Sequence, residues 1–146
     1  MLRGNDPARV NGQIHRGQRV FCSNRGQRGG CGKTFPLFFE TILPRHTFSG
    51  RLLWALLLKL LKGSTIKAAA EGLGLPFTLE GVYALVRRLR GRQAVVRSLL
   101  YSEVPAPPSG QTDPLLQTVE HLQQIFPPNR CALAAYQQRF QRPFLG

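Results

Sequence analysis

Apolar positions fall into separate blocks along this chain, divided by stretches rich in glycine, proline and polar residues. The densest is Gly50–Lys62, where Leu52, Leu53, Trp54, Leu56, Leu57, Leu58, Leu60 and Leu61 leave almost no polar face. Such a pattern predicts a helix at the centre of a core, covered by more than one neighbour. Ser49 before it is a fitting N-cap, and Leu43-Pro44 bars an earlier start. Next, Thr65–Gly72 places Ile66, Ala69, Ala70 and Leu73 at helical spacing, with Ser64 as expected cap. The three alanines 68–70 leave room for a crossing helix. A third helix starts after Thr78, with Glu80 in its first turn and Leu79, Val82, Tyr83, Leu85, Val86 and Leu89 as its apolar face. Gly91 is expected to break it, with Gln93–Tyr101 following as a second piece. Beyond a proline-rich linker, Asp113-Pro114 opens another helix, with Leu115, Leu116, Val119, Leu122, Ile125 and Phe126 in one stripe. Pro127-Pro128 ends it. Asn129 is expected to cap a last helix, Arg130–Phe140.

The first forty residues read differently. Residues 1–19 are polar and basic with no periodicity, which suggests a loose arm. Arg19-Val20-Phe21 and Lys33-Thr34-Phe35 are short β-prone runs flanking a turn of Ser, Asn, Arg, Gln and Gly, so a hairpin with a long basic tip is expected. Cys22 leaves the first strand and Cys31 leads into the second. The expected fold is therefore mainly α: a small N-terminal β-hairpin ribbon, a three-helix core containing a helix-turn-helix, and a helical C-terminal tail. The boundaries are 1–19 (basic arm), 20–46 (ribbon), 47–101 (helix-turn-helix), 102–112 (linker) and 113–146 (tail). The tail either folds back on Leu52–Leu61, the safer reading for a chain this small, or serves as a dimerisation helix.

Charge adds direction. The chain has 146 residues with a formal charge of +13 and a sequence pI near 11.2. Residues 1–46 hold eight Arg/Lys against two acids, 47–101 nine against two, and 102–146 three against three. The first hundred residues therefore suit a polyanion, since neutralising each phosphate releases condensed counterions. The ten-residue run Leu52–Leu61 is too short to cross a bilayer and contains Lys59. No apolar stretch follows the first residues, so no signal peptide is expected, and three cysteines make no disulfide framework. A cytoplasmic, nucleoid-associated protein is the expectation.

Two constellations carry chemistry. In Gly63–Arg92, a helix-turn-helix would lay its second helix in the major groove of double-stranded DNA. Ala70, Gly74, Leu75 and Val82 supply the crossing, the turn and the inner face. Gly74 to Val82 spans eight residues, so the turn is long. Thr78, Leu79, Glu80 and Gly81 would face base edges, while Tyr83, Arg87, Arg88 and Arg90, with Lys67 on the bracing helix, would reach bases or phosphates. On the ribbon, Arg19, Arg25, Arg28 and Lys33 would add phosphate contacts. The second constellation is Cys31-Gly32-Lys33-Thr34-Phe35, the form of a zinc knuckle with the aromatic ring beneath the metal. A structural zinc takes four ligands. Cys22 and Cys31 offer two, His15 and His46 are the nearby candidates, and there is no Cys-x-x-Cys pair. Cys131 is read as a small core residue.

Phe21-Cys22, Cys31-Gly32-Lys33-Thr34-Phe35, Leu43-Pro44, the apolar helix and Lys62-Gly63-Ser64-Thr65-Ile66 with Ala68–Ala70 together resemble the zinc-ribbon and helix-turn-helix proteins of bacterial insertion sequences. The resemblance covers about residues 16–101. It implies a transposase N-terminal region, or a separate protein that binds or regulates the element's ends, with the basic ribbon and third helix on DNA. The chain departs from that pattern in lacking the first cysteine pair. Catalysis is not expected, because the only aspartates are Asp6 and Asp113 and the acids are scattered, whereas two-metal strand transfer needs an acidic cluster. Binding two half-sites would call for a homodimer. The alternative is a basic RNA- or ribosome-associated protein, disfavoured by the scarcity of aromatic–basic alternation in the sequence.

Overall fold

The computed structural model describes residues 2–5, 13–23, 29–46, 48–75 and 77–146. Three strands come first: β1 (Leu2–Asn5), β2 (Gln13–Phe21) and β3 (Thr34–Phe38), in a sheet of order β1-β2-β3. Five helices follow: α1 (Gly50–Leu61), α2 (Ile66–Leu73), α3 (Leu79–Tyr101), α4 (Pro114–Ile125) and α5 (Ala132–Phe140). The molecule is mainly helical, as the hydrophobic pattern implied.

Where local chemistry was strong, the helix starts stand where the sequence put them. Ser49 accepts a hydrogen bond from the Leu52 amide, Thr78 from Gly81 and Asp113 from Leu115, each satisfying one amide that the first turn leaves unpaired. Two caps differ from expectation. Thr65, not Ser64, caps α2 by accepting from Ala68. The last helix begins one residue beyond Cys131, which makes no side-chain cap bond, so Asn129 does not cap it. α2 ends in a left-handed Gly74, φ +57°, with Gly74 N–H donating to Glu71 O and Leu75 N–H to Ala70 O. That 5→2 and 6→1 pair is a Schellman ending, which fixes the direction of the turn into α3.

A larger correction concerns α3, which runs unbroken through Gly91 for 23 residues, about 35 Å at 1.5 Å per residue. A helical glycine costs only about 1 kcal/mol relative to alanine. The buried positions Val82, Leu85, Val86, Leu89, Gln93, Val96 and Leu100 continue at the same spacing on both sides of it, so packing carries the helix across.

One core holds all five helices. α1 lies at its centre, with Leu53, Leu56, Leu57 and Leu60 buried and Leu52, Trp54, Leu58 and Leu61 packed against the same cluster. α2, α4 and α5 all contact α1, which accounts for a helix with hardly any polar face. Residues 113–146 therefore fold back and complete the core: Leu115, Val119, Leu122, Leu133, Tyr136, Phe144 and Leu145 belong to it. The proline-rich 102–112 segment is tied down by His121, whose Nε2 lies 2.8 Å from Val104 O. Beneath it a buried network joins α3 to α4, in which Thr118 donates to Gln93 Oε1 and Gln93 donates to Leu89 O.

The ribbon departs from expectation at its start. Leu2–Asn5 forms a strand paired antiparallel with Gln13–Gly17, so residues 2–5 and 13–19 are sheet and not loose arm. β2 pairs with β3 from Gly17↔Phe38 to Phe21↔Thr34, the hairpin that the β-prone runs foretold. A Cβ on Gly17 would meet Leu37 O at 1.9 Å, so this close strand approach requires glycine.

Candidate nucleic-acid interface

α3 presents two faces at its N-terminal half. Val82, Leu85, Val86 and Leu89 are buried, while Leu79, Glu80, Tyr83, Ala84, Arg87 and Arg88 are exposed. The spacing 80, 83/84, 87 follows one side of a helix. Tyr83 is 45% exposed, and neither it nor Arg87 has a hydrogen bond or ion pair among the described residues. Lys67 is exposed on α2, the helix bracing α3. Thr78 is exposed too, but its hydroxyl is committed to the Gly81 amide.

One predicted site residue is committed elsewhere. Arg90 pairs with Asp113 at 2.7 Å, so its guanidinium serves the α3–α4 junction. Burial pushes the Asp113 carboxyl up. The Arg90 hydrogen bond, the Leu115 amide and the Arg90 charge outweigh this and hold it below its ordinary value. Arg25 and Arg28 lie outside the described residues. On the ribbon, Arg19 is exposed opposite Pro36, and Lys33 is exposed with its carbonyl accepting from Cys22 N–H.

Arg88 turns toward the ribbon side. A cavity of about 250 Å³ opens there, between His46, Phe48, Phe77, Ala84, Leu85 and Arg88. The Phe48 and Phe77 rings meet edge to face at 5.0 Å. Arg16 reaches across from β2 and donates to the Leu43 and His46 carbonyls, fastening the ribbon beside the start of α3. Burial, then the Arg88 and Arg16 charges, push the His46 pKa below 6.5.

The expected zinc donor set is not assembled among the described residues. Cys22 and Cys31 do meet at the neck of the hairpin, where Cys31 N–H lies 3.4 Å from Cys22 Sγ. No third His, Cys, Asp or Glu joins a cluster there among the described residues. His15 is seven residues back along the same extended run, about 23 Å at 3.3 Å per residue. His46 sits near Arg16, at the opposite end of the ribbon. Phe35, expected to pack beneath a metal, is instead 45% exposed. Cys131 leads α5 and packs against the core rather than the ribbon.

The sequence reading missed the exposed aromatic character of the ribbon. Phe21, Phe35 and Phe38 are all exposed. The available signal was that β2 and β3 carry apolar residues at odd and even positions alike, which one buried face cannot absorb.

No family model, no curated protein and no solved structure matches the chain. No helix among the described residues is long and apolar enough to cross a membrane.

Proposed function

We propose that this protein binds double-stranded DNA without catalysing a reaction on it, with the N-terminal half of α3 as the reading element. One observation carries this reading. The uncovered face of α3 holds Tyr83 and Arg87 side by side, directly after a capped turn, on a helix whose other face is locked into the core. A helix so presented fits the major groove, about 12 Å wide. The exposed Lys67 and Arg88 stand to its sides for phosphates, and the positive charge of residues 1–101 supplies the non-specific attraction. Glu80 in this face is compatible with DNA where it accepts from a cytosine amine.

Combined with the sequence resemblance, the duplex would be the end of an insertion element and the role end-binding or regulation. A gel shift tests this with duplex from the protein's own locus against random duplex of equal length, at moderate salt. Preference for the locus duplex, lost in Tyr83→Ala and Arg87→Ala, supports the reading. Equal binding to random duplex sinks the regulatory role, and co-sedimentation with ribosomes would favour the RNA-associated alternative.

A further inference from the structure

The ribbon carries a surface that the α3 reading does not use. Cys22 pairs with Lys33 and Arg16 with Phe39 through backbone hydrogen bonds. Bonded and non-bonded pairs alternate in an antiparallel ladder. Gly17↔Phe38, Arg19↔Pro36 and Phe21↔Thr34 are therefore the non-bonded pairs, and their side chains share one face of the sheet. That face presents Phe21, 58% exposed, Arg19, exposed, and Phe38, 40% exposed. A cation thus stands between two open rings, which are separated by four residues along the strands, about 13 Å.

The same register says what does not dock here. Pro36 sits at a non-bonded position, so its nitrogen points to the open edge of β3, where it has no N–H to offer. An edge interrupted by proline resists the addition of another strand, which leaves the face of the sheet as the contact surface. The charge is one-sided as well. Residues 7–39 contain six Arg/Lys and no Asp or Glu. A second copy laid on this face would bring like charges together, whereas a polyanion would be attracted.

We propose that the Phe21–Arg19–Phe38 face is a stacking platform for single-stranded nucleic acid. The two rings would hold unpaired bases by their π-faces, and Arg19 the phosphate between them. Stacking on an aromatic side chain needs no particular base sequence, and every base has a face to offer. A duplex hides those faces inside its own stack, so this surface distinguishes single strands from duplex by chemistry. It stands independently of the α3 reading.

The test is fluorescence anisotropy of the full chain with three 12-mers of equal charge: oligo-dT, oligo-U and an abasic phosphate–sugar chain. The expected result is at least tenfold tighter binding of the base-bearing oligomers than of the abasic one. Phe21→Ala with Phe38→Ala should remove that advantage, by about tenfold per ring, and leave abasic and duplex binding unchanged. Phe21→Trp with Phe38→Trp should retain it, with indole fluorescence quenched on binding. Oligo-dT against oligo-U tells a DNA strand from an RNA strand as the preferred occupant. Equal binding of the abasic chain overturns the proposal, as does wild-type affinity in the alanine variant. A wild-type dimer that the alanine variant converts to monomer in light scattering, with oligo-dT binding unaltered, assigns the face to self-association and overturns it too.

Discussion

Replacing Leu133 by alanine is expected to destabilise the whole protein, although the residue lies in a segment that the sequence set apart as a tail. Leu133 is fully buried in α5, close to the start of α1: a Cβ built on Gly50 would stand 4.0 Å from the Leu133 Cβ. The change removes three carbons, about 2.4 kcal/mol of transfer free energy at 0.8 kcal/mol per methylene. The cavity left between α1 and α5 adds to this, because neighbours relax only partly, and brings the total to about 3–4 kcal/mol. At about 3 °C per kcal/mol for a chain of this size, Tm should fall by about 10 °C. Urea denaturation, followed by far-UV circular dichroism and by Trp54 fluorescence on α1, should show one coincident transition shifted to lower denaturant. Leu79→Ala, at an exposed position on α3, should cost under about 1 kcal/mol. A loss below about 1 kcal/mol for Leu133→Ala, or an α5 transition separate from that of α1, would refute the single-core reasoning.

Three further outcomes follow from particular contacts. The folded His46 pKa lies below 6.5, so the unfolded chain binds the proton more readily. That contribution to stability is intact above pH 6.5 and is lost as pH falls from 6.5 through the lower folded value; the Tm of His46→Gln should fall less over that range. Arg90→Ala should cost no more than about 1 kcal/mol, because the Arg90 side chain is 54% exposed. Asp113→Ala should cost more than Arg90→Ala, since it also removes the α4 cap, worth about 1 kcal/mol; a urea-based double-mutant cycle separates the two terms. Gly17→Val should open the β2–β3 pairing, seen as faster amide exchange at the bonded positions Gln18, Val20, Phe35 and Leu37 with the helical amides unchanged.

Much of the helical body was legible because its signals are local. Ser49, Thr78 and Asp113-Pro114 each combine a capping side chain with an apolar repeat that begins directly behind it. The misreadings share a cause in longer-range structure. Ser64 and Thr65 are both good caps, and only the packing of Ile66 and Ala69 against the core selects the second. Gly91 looks like a break until burial on both sides of it is known. Leu2–Asn5 has no strand pattern of its own and exists through its pairing with β2. The same holds for the interface. The exposure of Arg87 was legible from the apolar repeat behind it, whereas Leu79 and Tyr83, counted in that repeat, are exposed. The diversion of Arg90 to Asp113, 23 residues away, was not legible. No local signal marked Phe21, Phe35 and Phe38 individually as exposed, since large apolar side chains are usually buried. Here a thin sheet joins a core that the helices have already filled, and the rings stay outside.

The most direct test of duplex binding through α3 is the salt dependence of affinity for a 30-bp duplex from the protein's own locus, measured by anisotropy for the wild type and for Arg87→Ala. The wild type should bind with a steep negative slope of log affinity against log salt. Arg87→Ala should weaken binding to this duplex by about tenfold with little change of slope, the loss of a base contact rather than of a phosphate contact. A wild-type protein that does not bind this duplex at low salt, or an Arg87→Ala variant with unchanged affinity, would contradict the assignment of α3 as the reading element.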